Sequence, residues 1–297
     1  MNPIAMKTVL GSYPHTRALK DRSVTHAGVT LAFQDVSPVH KAFAPMVRHQ
    51  AYDLCELAIV TALQAVAYDR PVVLLPVVVA SRFQRGCLIG HRDRPVDPRS
   101  LAGRRIGVRS YTQTTGMWVR AHLEEDFGCD IGAIEWITHD GAHVEQYADP
   151  SFVRHDDSGK SLADMLRDGD IDAAIFGNDL PQGDAFRPLV ADANERDLAW
   201  WRTHRFMPIN HMVVVSRAMA EANPAAVRAA YELLREAADQ VGADPAGPLP
   251  FRFGFEGHRE PVAFTIEACM RQGLLPRRPS VDDVFGPARR ILGHGSD

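Results

Sequence analysis

Ser100-Leu101-Ala102-Gly103-Arg104-Arg105-Ile106-Gly107-Val108-Arg109-Ser110-Tyr111-Thr112-Gln113-Thr114-Thr115-Gly116 passes, in one short run, from a capped turn through a buried strand, RRIGV, to a loop of hydroxyl and amide side chains. A helix follows through Met117-Trp118-Val119-Arg120-Ala121-His122-Leu123. The first turn of a helix has backbone N–H groups with no intrahelical acceptor. With Thr112, Gln113, Thr114 and Thr115 beside them, these groups form a receptor for a carboxylate or another oxyanion. A small anionic ligand is therefore expected.

Outward from this stretch, Leu166-Arg167-Asp168-Gly169-Asp170-Ile171-Asp172-Ala173-Ala174-Ile175 reads as a turn and a strand returning to the same lobe. Upstream, strands are expected at 7–10, 29–33, 52–57 and 72–79, separated by a helix entered at Pro14 and by helices over 39–48 and 61–69. The run at 72–79 is apolar enough to be buried on both faces. This alternation predicts an α/β architecture with a largely parallel sheet and flanking helices. The charged, proline-broken segment His91-Arg92-Asp93-Arg94-Pro95-Val96-Asp97-Pro98 suits a connection between lobes. The expected division is lobe 1 at 1–92 and 206–297 and lobe 2 at 93–205. The segment 208–215 returns as a crossover strand, and helices at 224–241 and 261–272 pack back on lobe 1. Ligands of open α/β sheets favour the carboxyl ends of strands, which puts the expected site in the cleft between lobes.

A chain of 297 residues is long enough for two lobes with separate cores. Its hydrophobic fraction of 45% and charged fraction of 24% are those of an ordinary globular protein. The formal charge of −4 and the lack of a basic, aromatic-interleaved patch argue against a nucleic acid partner. Polar residues arrive directly after Leu10, so the N-terminal segment lacks the apolar core of a secretory signal and a cytoplasmic location is expected. The longest apolar run, 72–80, contains Pro76 and is too short to span a bilayer, so no membrane role is expected. Cys55, Cys87, Cys129 and Cys269 form no C-x-x-C pair and read as small buried thiols. His139 and His143 have i, i+4 spacing, but Gly141 between them favours a polar loop over a metal site.

The string SLAGRRIGV resembles the D-L-x-G-K-x-I-G-V segment by which bacterial periplasmic-binding-protein-like chains enter their second lobe. GDIDAA at 169–174 is similar to their G-x-[IV]-D-A-A strand. Nearly the whole chain resembles the 4,5-dihydroxyphthalate decarboxylase family, a cytoplasmic branch of that two-lobed type II fold. The matching segments are YPHTRAL at 13–19, YDLCEL at 52–57, SRFQR at 81–85, YTQTTGMWVR at 111–120, PINH at 208–211 and QGLLPRR at 272–278. The chain departs from the family's S-R-x-F-R-H in having Gln84 at the aromatic position and Gly86 at the histidine, and the segment between His139 and Ser161 is short. The resemblance implies cofactor-independent decarboxylation of a hydroxylated aromatic dicarboxylic acid, as when 4,5-dihydroxyphthalate gives protocatechuate and carbon dioxide. The alternative is a non-catalytic solute-binding protein or sensor for a small aromatic carboxylate. No cofactor is expected. A divalent metal held by Glu56, His211 and substrate oxygens is compatible with the sequence, as is a homo-oligomer.

Losing carbon dioxide from a hydroxylated ring requires a proton donor at the carbon bearing the carboxylate, an acceptor at the phenol and fixed cations for the carboxylates. Arg17, Arg82 and Arg85 are the candidate cations, against the competing reading of surface or structural ion pairs with Asp21, Asp53 or Asp69. Glu56, at the end of an apolar strand, is a candidate proton donor or phenol base with a pKa raised by burial. His211 is the candidate donor to the ring, against the usual role of a lone histidine in an apolar strand, a satisfied core residue. Tyr13 and Tyr111 are candidates for hydroxyl binding or ring stacking, or for plain packing. Trp118 reads as core.

Overall fold

In the computed structural model, which describes residues 2–242, 244 and 247–293, the chain builds two six-stranded sheets. It begins with β1 (Ile4–Val9), α1 (Pro14–Lys20), β2 (Val29–Phe33), α2 (Phe43–His49), β3 (Leu54–Ala58), α3 (Ile59–Ala67) and β4 (Val72–Ser81). It then crosses to β5 (Leu88–His91), β6 (Arg105–Val108), α4 (Thr114–Phe127), β7 (Glu135–Thr138), β8 (Val153–His155), α5 (Leu162–Asp168), β9 (Ala173–Ile175), β10 (Phe186–Pro188) and α6 (Ala193–His204). It returns through β11 (Ile209–Ser216), α7 (Arg217–Ala222), α8 (Pro224–Asp239), β12 (Arg252–Phe253), α9 (Glu256–Arg271) and α10 (Val281–Leu292). The strand orders are β12-β4-β11-β3-β1-β2 and β10-β5-β9-β6-β7-β8. No helix among the described residues is long and apolar enough to cross a membrane.

The α/β alternation is as expected, but the sheets are mixed. β1 pairs in parallel with β2 and β3, whereas β11 runs antiparallel to both β3 and β4 because it returns from the other lobe. In the second sheet β6, β7, β8 and β9 are parallel, while β5 runs antiparallel to both of its neighbours, β9 and β10. Strand β5, assigned to lobe 1 by the expected boundary at 92, hydrogen-bonds to β9 and β10 of the second sheet. The chain therefore changes sheets just after Ser81, ahead of the charged segment.

The GV of RRIGV is explained by packing. A Cβ on Gly107 would come within 2.7 Å of Ile171 Cδ1 and Leu162 Cδ2, so the two side chains close over β6 against the bare glycine and would have to shift for a larger residue. Gly169 ends α5 at a φ of 86°, the left-handed region that favours glycine, and turns the chain into β9 beside β6.

The C-terminal helices differ from expectation. Helix α9 starts at Glu256, not Pro261. Pro261 cannot donate to the Gly257 carbonyl, and the Arg252 guanidinium supplies that bond at 3.1 Å. Gln272, at the end of α9, binds the second lobe: its Oε1 accepts from Arg120 Nε at 2.7 Å and its Nε2 donates to Met117 O at 3.0 Å. Helix α10, which the sequence reading did not include, opens on a capping box formed by Ser280 and Asp283 and packs against β4 and α8.

Candidate functional site

The site starts from an irregularity in the central ladder. Ile209 pairs with Ser81, His211 with Ala80 and Met212 with Val78, so Asn210 on β11 and Val79 on β4 are each one residue in excess. Successive residues of a regular strand face opposite sides of the sheet, and bulges break that alternation. Here Asn210 and His211, adjacent in sequence, line the same cavity.

Facing His211 from the neighbouring β3 is Glu56, fully buried. Its Oε1 accepts from His211 Nδ1 at 2.8 Å and from the Tyr13 hydroxyl at 2.9 Å, and its Oε2 accepts the Gly11 backbone N–H. Burial pushes the Glu56 pKa up. The bonds and charge of His211, with those from Gly11 and Tyr13, outweigh it and hold the carboxyl below its ordinary value. The expected raised pKa is thus corrected: three donors keep Glu56 ionised rather than protonated. Burial and the adjacent Glu56 charge raise the Tyr13 pKa. With Nδ1 committed to Glu56, His211 Nε2 has no protein partner among the described residues, and the ring is 20% exposed.

The cavity measures about 240 Å³ and takes its lining from Tyr13, His15, Ser81, Arg82 and Asn178 besides the two bulge residues. Arg82 has no carboxylate partner among the described residues. Its Nη2 donates to Thr115 Oγ1 at 2.9 Å, its Nη1 reaches Gly177 O at 3.3 Å, and its Nε is shielded from water without a partner. A guanidinium in that state is a receptor for an anion. His15 is held by Nε2–H donation to Val79 O at 2.9 Å, on the bulge, and stacks with Tyr13 at 5.3 Å. Burial lowers its pKa, so it stays neutral and its Nδ1 has no partner.

The start of α4 adjoins this cavity through Arg82. Thr114 Oγ1 lies 3.4 Å from Val60 N in the first turn of α3, bringing two helix starts together across the lobes. Thr115 is bound to Arg82, Gln113 Oε1 is buried without a partner, and Thr112 pairs with Ser110 at 3.0 Å. Of these four, Thr115 is tied directly to a cavity residue.

Three expected ligand residues lie elsewhere. Arg85 forms a two-pronged pair with Asp126 at 2.8 and 3.0 Å and binds Asp197 at 2.8 Å, so its charge is committed to two carboxylates of the protein. Tyr111 is fully buried, donates to Gln272 O at 3.1 Å and lies under Arg120 at 4.0 Å, so it is a packing residue. Arg17 is exposed on α1 and lines a neighbouring depression with Ser12, Lys20 and Asp21; that depression shares Tyr13 and Pro14 with the His211 cavity, whose own lining does not include Arg17. Trp118 is core, its indole N–H bound to Ile209 O at 2.8 Å. The sequence reading missed His15, Asn178, Ser81 and Asn210. Gln84 donates to Asn210 Oδ1, which is how the departure at the family's aromatic position bears on the site. A Cβ at Gly86 would meet nothing within 4 Å, so the backbone there does not exclude a side chain at the family's histidine position.

Among the described residues no three His, Cys, Asp or Glu side chains converge to hold a metal, and both Glu56 oxygens are already occupied. His139 and His143 diverge, to Asp156 at 3.6 Å and Thr61 at 2.8 Å. The four cysteines are free thiols.

Two α/β lobes with a cavity at their junction are the arrangement of the periplasmic-binding-protein-like fold. In agreement, the periplasmic aliphatic sulphonate binding protein SsuA from Escherichia coli superposes with a TM-score of 0.61 at 12% identity, over 95% of this chain and 91% of that one. No family model matches the sequence. A 4,5-dihydroxyphthalate decarboxylase from Comamonas testosteroni is 27% identical over 97% of this chain and 98% of its own length. Another from Pseudomonas putida is 30% identical over 59% of this chain and 71% of its own. The chain belongs to the 4,5-dihydroxyphthalate decarboxylase family.

Proposed function

We propose that this protein is a cofactor-independent decarboxylase of a hydroxylated aromatic dicarboxylic acid, with 4,5-dihydroxyphthalate as the reference substrate. The observation that carries the reading is the Glu56–His211 pair at the wall of a cavity that also holds an unpaired arginine, Arg82. Arg82 and the first turn of α4 hold a carboxylate. The hydroxyls of the ring meet the polar lining of Ser81, Asn178 and Asn210.

Glu56 fixes the imidazole through Nδ1, so that a protonated His211 presents its second N–H, at Nε2, to the ring. The Nε2 proton moves to the ring carbon bearing the carboxylate as the para hydroxyl gives up its proton to solvent and becomes a carbonyl. The bond to the carboxylate then breaks and its electron pair restores the aromatic ring. Reprotonating the oxygen completes the product, so one proton replaces one molecule of carbon dioxide. The ring is its own electron sink, and the proton transfer is of the kind worth roughly 10²–10⁴ in rate.

A second reading, a receptor that binds the same acid without turnover, is favoured by the resemblance in fold to a sulphonate-binding protein. Incubation of the purified, metal-free protein with 4,5-dihydroxyphthalate separates the two. Release of carbon dioxide with formation of protocatechuate is expected; recovery of unchanged acid across hydroxyphthalates and hydroxybenzoates refutes the enzyme reading.

A further inference from the structure

Asn210 and Gln84 are buried amides with no part in the proton transfer from His211. Asn210 is the residue in excess on β11, next to His211, and both line the cavity. The chain is pinned on its approach to them: Trp118 Nε1 donates to Ile209 O at 2.8 Å, and the Arg82 backbone N–H donates to Pro208 O at 3.2 Å. Behind the Asn210 amide stands Gln84, fully buried, whose Nε2 donates to Asn210 Oδ1. Gln84 is itself held in place. Its backbone carbonyl accepts from Cys87 N at 2.9 Å, and the next residue, Arg85, is tied to Asp126 and Asp197 at 2.8 Å each.

The contact with Gln84 decides which end of the Asn210 amide is left for a ligand. Oδ1 is taken, and Nδ2, which can only donate, has no protein acceptor among the described residues. Ser81 and Asn178 share the lining, but among the described residues neither side chain has such an anchor. A donor oriented before the ligand arrives stabilises an oxygen without having to reorganise. In the proposed reaction Arg82 is committed to a carboxylate, so the ring oxygen that loses its proton needs a neutral donor of its own.

We infer that Asn210, oriented by Gln84, donates to the ring oxygen para to the departing carboxylate and selects for a ligand with a hydroxyl there. This rests on the decarboxylase reading. As the O–H proton leaves for solvent and the oxygen becomes a carbonyl, the Nδ2–H favours the deprotonated oxygen, the stronger acceptor, over the hydroxyl. Asn210 touches the substrate, and Gln84 is a positioning residue that acts through it.

The oxygen para to the lost carboxylate is meta to the one that remains, so 3-hydroxybenzoate carries it and 4-hydroxybenzoate does not. Calorimetry with these two acids and with benzoate, on the native chain, Asn210→Ala, Asn210→Asp and Gln84→Leu, reads the contact as a ratio of affinities. The preference for 3-hydroxybenzoate over benzoate should fall about tenfold in Asn210→Ala, and at least as far in Asn210→Asp, whose carboxylate accepts where the amide donates. Gln84→Leu should lose part of the preference, with benzoate itself held within about twofold in Asn210→Ala and Gln84→Leu. A preference unchanged in Asn210→Ala, or kept in Asn210→Asp, overturns the donor role. So does equal weakening of benzoate, which would make Asn210 a packing residue, or an equal loss for 4-hydroxybenzoate, which would misplace the oxygen. Incubation with 4,5-dihydroxyphthalate separates the two readings. If 3-hydroxybenzoate is preferred through Asn210 and the diacid is recovered unchanged, the contact stands and the decarboxylase reading falls; if the diacid is turned over and the native chain has no preference for 3-hydroxybenzoate, the contact falls alone.

Discussion

Replacing Glu56 by Gln tests the reacting centre most directly, because the substitution keeps the shape and removes the charge. The carboxylate accepts three hydrogen bonds, from Gly11 N–H on one oxygen and from Tyr13 and His211 on the other. Glutamine has a single oxygen. In one orientation its NH₂ meets the Gly11 N–H, donor against donor. In the other it meets His211 and forces the tautomer with Nδ1 as acceptor and the hydrogen on Nε2. Either way one buried donor is left unpaired, costing about 1–3 kcal/mol, and the remaining bonds lose their charge assistance, for a total of roughly 2–4 kcal/mol at neutral pH.

The sign of the pH dependence follows from the Glu56 titration. Its folded pKa lies below the ordinary 4.5, so its contribution is complete above that value and is lost as pH falls through the folded pKa. Urea unfolding should therefore show a gap between native and Glu56→Gln that is full at neutral pH and narrows in acid. With the imidazole no longer held by a carboxylate, kcat for carbon dioxide release should fall by roughly 10²–10⁴. A change in KM below about threefold would identify this as loss of proton transfer rather than binding. A kcat within about threefold of native would refute the role given to the pair.

Arg85→Met should destabilise by about 3–5 kcal/mol, since Asp197 is left buried without its cation, while the affinity of the folded fraction for 4,5-dihydroxyphthalate stays at the native level; denaturant melts and calorimetry measure the two. His258 is fully buried, and burial holds its pKa at about 4 against an ordinary 6.5. Its cost to stability is absent above 6.5 and grows as pH falls to 4, reaching about 3 kcal/mol. His258→Asn retains a donor for Gly254 O, and melts across that window should lose correspondingly less stability than native; an unchanged slope would contradict the assignment.

The architecture was legible because its markers are local. Gly107 sits under closely packed side chains and Gly169 at a left-handed turn, and the alternation of apolar runs survives in nearly every expected element of the first lobe. The site was less so. Glu56 and His211 are 155 residues apart and meet only because β11 lies beside β3, which strand periodicity does not reveal; the family resemblance singled them out. Arg85 looked available because its partners, Asp126 and Asp197, are 41 and 112 residues away. Burial alone suggested a protonated Glu56, and the donors that reverse it come from Gly11, Tyr13 and His211 on two other elements. Asn210 and His15 escaped notice because their place in the cavity depends on the irregular register of β4 and β11.

The excess residues at Asn210 and Val79 have a consequence for how this family diversifies. A regular central strand offers a ligand every other residue, so changing a contact next to the reacting group means changing a different strand. Here neighbouring positions of one strand both line the cavity, with the imidazole proposed to react at 211 and an amide at 210 that accepts a hydrogen bond from Gln84. Substrate preference can then drift through residues 84 and 210 while the proposed proton donor and its carboxylate stay where they are.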